Sequence, residues 1–181
     1  MGNTQRTRVL AEIAIFLALA TTLEVVFKVI PGQPQGGSVS LSMLPIFILT
    51  YRHGLRVGLF SGAVFGLLNL MVGGLVLWHW ASLYLDYIFA FMVIGLSAFV
   101  FERDKNNPVF FGVGILVGGL ARFFMHFLSG VVLFGEFAPE GQNVWVYSFI
   151  YNMTYMAPTI ALLLITGLLL YRRQILISEN W

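Results

Sequence analysis

Six apolar runs follow one another along this chain, at 9–30, 41–51, 55–72, 78–101, 109–134 and 144–171. A helix needs about 20 apolar residues to cross the hydrocarbon core of a bilayer. The second run is short for that. Residues 37–41 either complete it or form a half-buried entry into the membrane. The breaks between runs carry turn residues: PGQPQGG at 31–37, the Arg52-His53-Gly54 corner, Gly73-Gly74, ERDKNNP at 102–108 and GEFAPEGQN at 135–143. The pattern predicts helices over about 8–30, 39–51, 55–72, 78–101, 108–134 and 144–171. Connections this short make consecutive helices antiparallel neighbours. Arg6, Arg8 and the Ala18-Leu19-Ala20 step imitate a cleaved signal peptide. The first apolar run continues well past that step to Pro31-Gly32, so a spanning helix is expected instead.

Composition narrows the class. Hydrophobic residues make up 59% and charged residues 10% of the 181, against about 45–50% and 25% in a soluble domain. The 17 phenylalanines exclude a disordered chain. The expected architecture is an all-α integral membrane bundle of six transmembrane helices, forming one domain over 1–181. Cysteine is absent, which removes disulfides, thiolate metal sites and cysteine nucleophiles. A net charge of +2 is too small to suggest nucleic acid.

The placement of charge says more than its sum. Arg6, Arg8, Arg52, Arg56, Arg103, Lys105, Arg172 and Arg173, eight of the ten basic residues, fall on one side of a six-helix arrangement. The opposite loops carry no Lys or Arg, and the last holds Glu136 and Glu140. Both termini are therefore expected in the cytoplasm of a cell with a multi-pass protein in its membrane.

Small residues recur four apart at Gly58, Gly62 and Gly66, at Gly114 and Gly118, and at Ala14 and Ala18. Such spacing lets helix backbones approach closely. The intramembrane polar residues gather toward the outer ends. Asp86 is expected about 12 Å below the outer end of its helix, and Arg122 and His126 about 21 and 27 Å up theirs. Tyr147 and Asn152 fall in the same outer half, as do Glu24 and Lys28, a possible helix pair four residues apart. The inner halves are nearly pure hydrocarbon and glycine. A through-pore or proton relay needs polar groups at both depths. Tyr84, Tyr87, Tyr147, Tyr151, Tyr155, Trp78, Trp80 and Phe134 share the outer level, with an interfacial belt as the alternative reading. Aromatic faces, a carboxylate, a histidine and an amide together suit a planar, cationic small molecule.

Motifs for other chemistry are missing. There is no GxxxxGK[ST] loop, no HExxH, no GxSxG elbow and no inverted repeat with broken helices. No enzyme, metal site or cofactor is expected. A binder that draws energy from a partner fits better.

Four segments carry a more specific likeness: GGSVSLSMLP (36–45), LYLDYIFAF (83–91), ARFFMHFLSGVVLFGEFAPEG (121–141) and VWVYSFIYNMTYMAP (144–158). Over about 9–170 the chain resembles the thiamine-specific substrate-binding subunits of energy-coupling factor transporters. The resemblance implies high-affinity capture of thiamine from outside. It also implies docking on a transmembrane coupling protein with two cytoplasmic ATPases, which tilt the subunit and release the vitamin inward. By the same resemblance Asp86, Tyr87, His126, Tyr147 and Asn152 contact the ligand. Phe134 stands where some relatives have a stacking Trp. Gly36 and Ser40 stand where some have Trp and Glu, and loop 31–38 forms a lid. Arg122 is a basic partner for Asp86, and Ala14 and Ala18 form the face that docks the coupling protein. The alternatives are a subunit for another vitamin or a pyrimidine precursor, a stand-alone facilitator, and an intramembrane enzyme.

Overall fold

The computed structural model describes residues 3–27, 33, 36–72 and 79–173. The described residues form helices and connections without strands. We number the helices α1 (Asn3–Phe27), α2 (Leu44–His53), α3 (Leu55–Val72), α4 (Leu83–Phe101), α5 (Pro108–Leu133) and α6 (Val144–Arg172). All but α2 are long and apolar enough to cross a membrane. Most of each such window is unburied within the chain, as lipid-facing helices require.

The short second run becomes the core. Residues 39–43, expected as the first turn of a helix, precede α2 without regular structure. Ser42 donates its backbone N–H to Ser40 Oγ at 3.0 Å, and Pro45 opens the helix. With 10 residues α2 is about 15 Å long, half a hydrocarbon core. Leu44 through Tyr51 are all buried, so α2 is walled in by the spanning helices. A single residue, Gly54, then joins α2 to α3 with φ +80°, a left-handed conformation that glycine adopts without strain.

Helix α4 is irregular. Leu83–Phe89 is wound as a π-helix, Val93–Ser97 as a 3₁₀-helix, and Ala90–Met92 and Ala98–Phe101 as α turns. The glycine face of α3 meets this element backbone to backbone. A Cβ on Gly62 would collide with the carbonyl of Phe91, and one on Gly66 with the carbonyl of Tyr87. From the other side, a Cβ on Gly95 would lie 2.5 Å from the Leu59 nitrogen. On α5, Gly114 accommodates the Phe101 ring and Gly118 the Phe47 ring. Ala14 and Ala18 are exposed, because α1 turns Ile13, Leu17, Ala20 and Glu24 inward instead.

Polar residues in the breaks act as helix caps. Asn107 accepts from the Val109 N–H at 2.9 Å and Asn143 from the Trp145 N–H at 2.8 Å. At the basic end, Tyr51, Phe101, Phe111 and Tyr171 form one aromatic cluster, with centroids 5.2–5.6 Å apart for neighbouring pairs. The hydroxyls of Tyr51 and Tyr171 both donate to the Lys105 carbonyl, at 2.5 and 2.8 Å. Glu12 ties α1 to this end through Arg52 (2.5 Å) and His53 (2.9 Å).

Gly62→Ala should lower the thermal midpoint in detergent, because its methyl meets rigid backbone; overpacking typically costs about 1–3 kcal/mol. Gly112→Ala, whose nearest contact would be a leucine methyl at 3.7 Å, should leave it unchanged.

Candidate functional site

Asp86 sits in the π-helical segment of α4, a winding often found at functional positions. Its Oδ2 accepts from Ser82 Oγ at 2.5 Å and from Ser129 Oγ of α5 at 2.6 Å. Its Oδ1 lies 3.1 Å from His126 Nδ1, also on α5. The other ring nitrogen, Nε2, receives the Arg122 Nε–H at 3.2 Å. Because arginine can only donate, Nε2 must accept and the ring proton must sit on Nδ1. His126 is therefore a neutral bridge that donates to Asp86 and accepts from Arg122. Arg122, expected as a partner of Asp86, reaches it through His126, and among the described residues no ion pair joins the two directly. The guanidinium instead lies 3.9 Å from the centroid of the Phe91 ring, a cation–π contact. One helical face of α5 supplies Arg122, His126 and Ser129 at i, i+4 and i+7.

Helix α6 adds a ladder of rings. Tyr147 and Tyr151 are 5.9 Å apart, Tyr151 and Tyr155 6.4 Å, and Tyr155 meets His126 edge-on at 6.0 Å. Asn152 is buried beneath the ladder. Its amide donates to the Ser148 carbonyl at 2.9 Å, and its Oδ1 accepts from the Tyr155 hydroxyl at 2.5 Å. Ser148 Oγ in turn donates to the Phe127 carbonyl at 2.8 Å, which fixes α6 on α5.

The described part of the first connection lies on the same ladder. Tyr151 donates its hydroxyl to the Gly36 carbonyl at 2.9 Å, and Gln33 Nε2 donates to Thr154 Oγ1 at 3.0 Å. Gly37 has φ +95°, and a Cβ there would stand 2.6 Å from the Tyr155 ring. Both the backbone and the space require glycine. Ser40, on the same connection, donates to Glu24 Oε2 of α1 at 2.9 Å.

Asp86, His126, Arg122 and Asn152 thus belong to one connected region, with Tyr147 joined to it through the ladder. Tyr87 is half-buried in the electrostatic range of both Asp86 and Glu24, and Ser40 borders Glu24. Phe134 is apart from the network: it caps α5, and its ring faces Phe137 at 6.1 Å. Trp80 is strongly exposed, as a belt residue would be. Trp78, Lys28 and residues 31, 32, 34 and 35 of the expected lid lie outside the described residues. Ser82, Ser129 and Ser148 were not anticipated. The signal was present in their helical spacing: Ser82 precedes Asp86 by four, Ser129 follows His126 by three, and Ser148 precedes Asn152 by four.

Imidazole ¹⁵N NMR should find His126 with a pyrrole-type Nδ1 and a pyridine-type Nε2. Arg122→Met should release Nε2 and broaden or shift that signal. Two pyrrole-type nitrogens in the unmodified protein would contradict the bridge.

Comparison with known proteins agrees in extent and in kind. Residues 10–178 match the family model described as Thiamine transporter protein (Thia_YuaJ). A curated relative, the thiamine transporter ThiT of Bacillus subtilis, is 38% identical over 180 residues, covering 94% of each chain. The thiamine transporter ThiT of Lacticaseibacillus paracasei is 34% identical over 179 residues, covering 90% of this chain and 86% of that one. A solved structure of ThiT from Listeria monocytogenes superposes with a TM-score of 0.83 at 26% identity, covering 94% of this chain and 97% of that one. With a model matched along nearly its whole length, the chain belongs to the thiamine transporter protein family.

Proposed function

We propose that this protein is the thiamine-binding subunit of an energy-coupling factor importer in a bacterial cell membrane. It takes up thiamine at the end of the bundle opposite its basic residues. The observation that carries this reading is the Asp86 carboxylate, held by Ser82, Ser129 and His126 beside the tyrosine ladder of α6. Thiamine joins an aminopyrimidine, which needs hydrogen-bonding partners, to a flat thiazolium cation, which suits aromatic faces. Asp86, Tyr87, His126, Tyr147 and Asn152 line the ligand in this reading. Phe134 and Ser40 border it, and Arg122 orients His126 without touching the vitamin. The relatives' names describe transporters, and this protein accordingly carries its ligand rather than converting it.

Transport against a gradient needs a source of energy. The chain has no nucleotide-binding loop. The proposed partners are a transmembrane coupling protein and two cytoplasmic ATPases. Ala14 and Ala18 stand exposed on α1, one helical turn apart and flanked by exposed Leu10, Ile15 and Leu19. Small residues there would let a partner helix approach closely.

Calorimetric titration of the purified protein with thiamine tests the ligand. Asp86→Asn should raise the dissociation constant at least about tenfold, since hydrogen bonds to a charged group contribute about 1.5–3 kcal/mol. An unchanged constant would remove Asp86 from the site. A pyrimidine-only analogue that binds as tightly as thiamine would reassign the ligand.

Ala14→Trp should abolish thiamine uptake into vesicles containing the coupling partners while leaving the binding constant intact. Uptake that persists without any ATPase partner would indicate a facilitator instead.

A further inference from the structure

Glu24 is a second carboxylate at the same end of the bundle, and the network around Asp86 does not use it. It is 7% exposed, on the inward face of α1 with Ile13, Leu17 and Ala20. Its Oε2 accepts from the Ser40 hydroxyl at 2.9 Å. The same hydroxyl accepts the Ser42 N–H at 3.0 Å. With Ser40 as the donor, Glu24 acts as an acceptor, as a carboxylate does. Among the described residues, Oε1 has no hydrogen-bond partner and no cation pairs with Glu24.

Among the described residues the charges of this region do not balance. Arg122 is its one described cation, and both Asp86 and Glu24 act on it electrostatically. His126 is neutral by the hydrogen-bond pattern derived above. Among the described groups Arg122 offsets one carboxylate, which leaves one negative charge beside the buried Glu24. An unbalanced charge at such depth is costly unless something pairs with it. Asp86 already accepts from three protein groups, whereas Glu24 accepts from a single hydroxyl among the described residues.

We propose that Glu24 is the group that reads the positive charge of the ligand, with Asp86 serving mainly to orient His126 and to accept hydrogen bonds. The inference rests on thiamine, a monocation through its quaternary thiazolium nitrogen, being the ligand. One positive charge entering this region would bring it to neutrality. The carboxylate on α1 would then set the preference for a cation over a neutral molecule of the same shape.

The test compares thiamine with a neutral isostere in which carbon replaces the thiazolium nitrogen, both titrated calorimetrically into the purified full chain. The unmodified protein should prefer thiamine. Glu24→Gln should reduce the ratio of the two affinities at least about tenfold, equivalent to about 1.4 kcal/mol, while isostere binding changes less than about threefold. Retained isostere binding also reports an intact fold. Adding Ser40→Glu to Glu24→Gln returns a carboxylate to the neighbouring position and should restore much of the preference. Lys28→Gln should leave the ratio within about threefold. A ratio unchanged by Glu24→Gln would overturn the assignment while leaving the thiamine reading in place. So would loss of both ligands that Ser40→Glu fails to restore, or a ratio that rises sharply in Lys28→Gln, which would mean that Glu24 is already balanced. Failure of the unmodified protein to bind thiamine at all would instead overturn the proposed function.

Discussion

A carboxylate at membrane depth has to be surrounded by donors, and the site is organised around that demand. Asp86 meets it with two serine hydroxyls and an imidazole N–H. Two of these three donors come from α5, so satisfying the charge also fixes the rotation of α5 against α4. The same face of α5 brings in Arg122, whose donor-only chemistry selects the histidine tautomer. From that selection follows which groups remain able to receive a ligand's hydrogen bonds and which are already committed.

The carboxylate can be placed so closely only because α4 has a firm backing. The carbonyls of Tyr87 and Phe91 press into the gaps at Gly66 and Gly62 of α3. In hydrocarbon there is no water to satisfy irregular backbone, so such winding is tolerated where protein covers it. The glycine face supplies that cover along the π-helical and α turns. The helix that carries the site is thus held from behind by main chain and from the front by side-chain hydrogen bonds. Replacing Gly62 or Gly66 would therefore push on α4 and disturb the Asp86 network, although neither glycine touches the Asp86 side chain.

Much of this was legible in the residues. Apolar runs and basic-residue placement gave the spanning helices, because length and charge are read directly by a membrane. That Asp86, His126 and Asn152 share one level was expected from helix rise, and the three belong to one connected region. Other features depend on how helices are rotated against each other, which a one-dimensional pattern does not encode. Arg122 was expected on Asp86 and instead reaches it through His126, a distinction of a few ångströms and one bond rotation. The π winding over Leu83–Phe89 shifts every side chain in it, yet LYLDYIF has no composition that marks it. Residues 39–43 read as helix by hydropathy. Pro45 and the Ser40–Ser42 contact delay the helix to Leu44. Glu24 reads as a helix pair with Lys28 because the spacing allows it, and Lys28 lies outside the described residues. The burial of Glu24 against Ser40 is a tertiary fact.

The aromatic cluster at the basic end has a bearing on the cell as a whole. Tyr51, Phe101, Phe111 and Tyr171 fill the space between the helices there, and their two hydroxyls are spent on a single loop carbonyl. Ions and protons cross a membrane protein only along hydrated paths, and closely packed rings stand across such a path at this end. A protein built to gather a scarce nutrient can therefore remain in the membrane in many idle copies without draining the electrochemical gradient that the cell lives on.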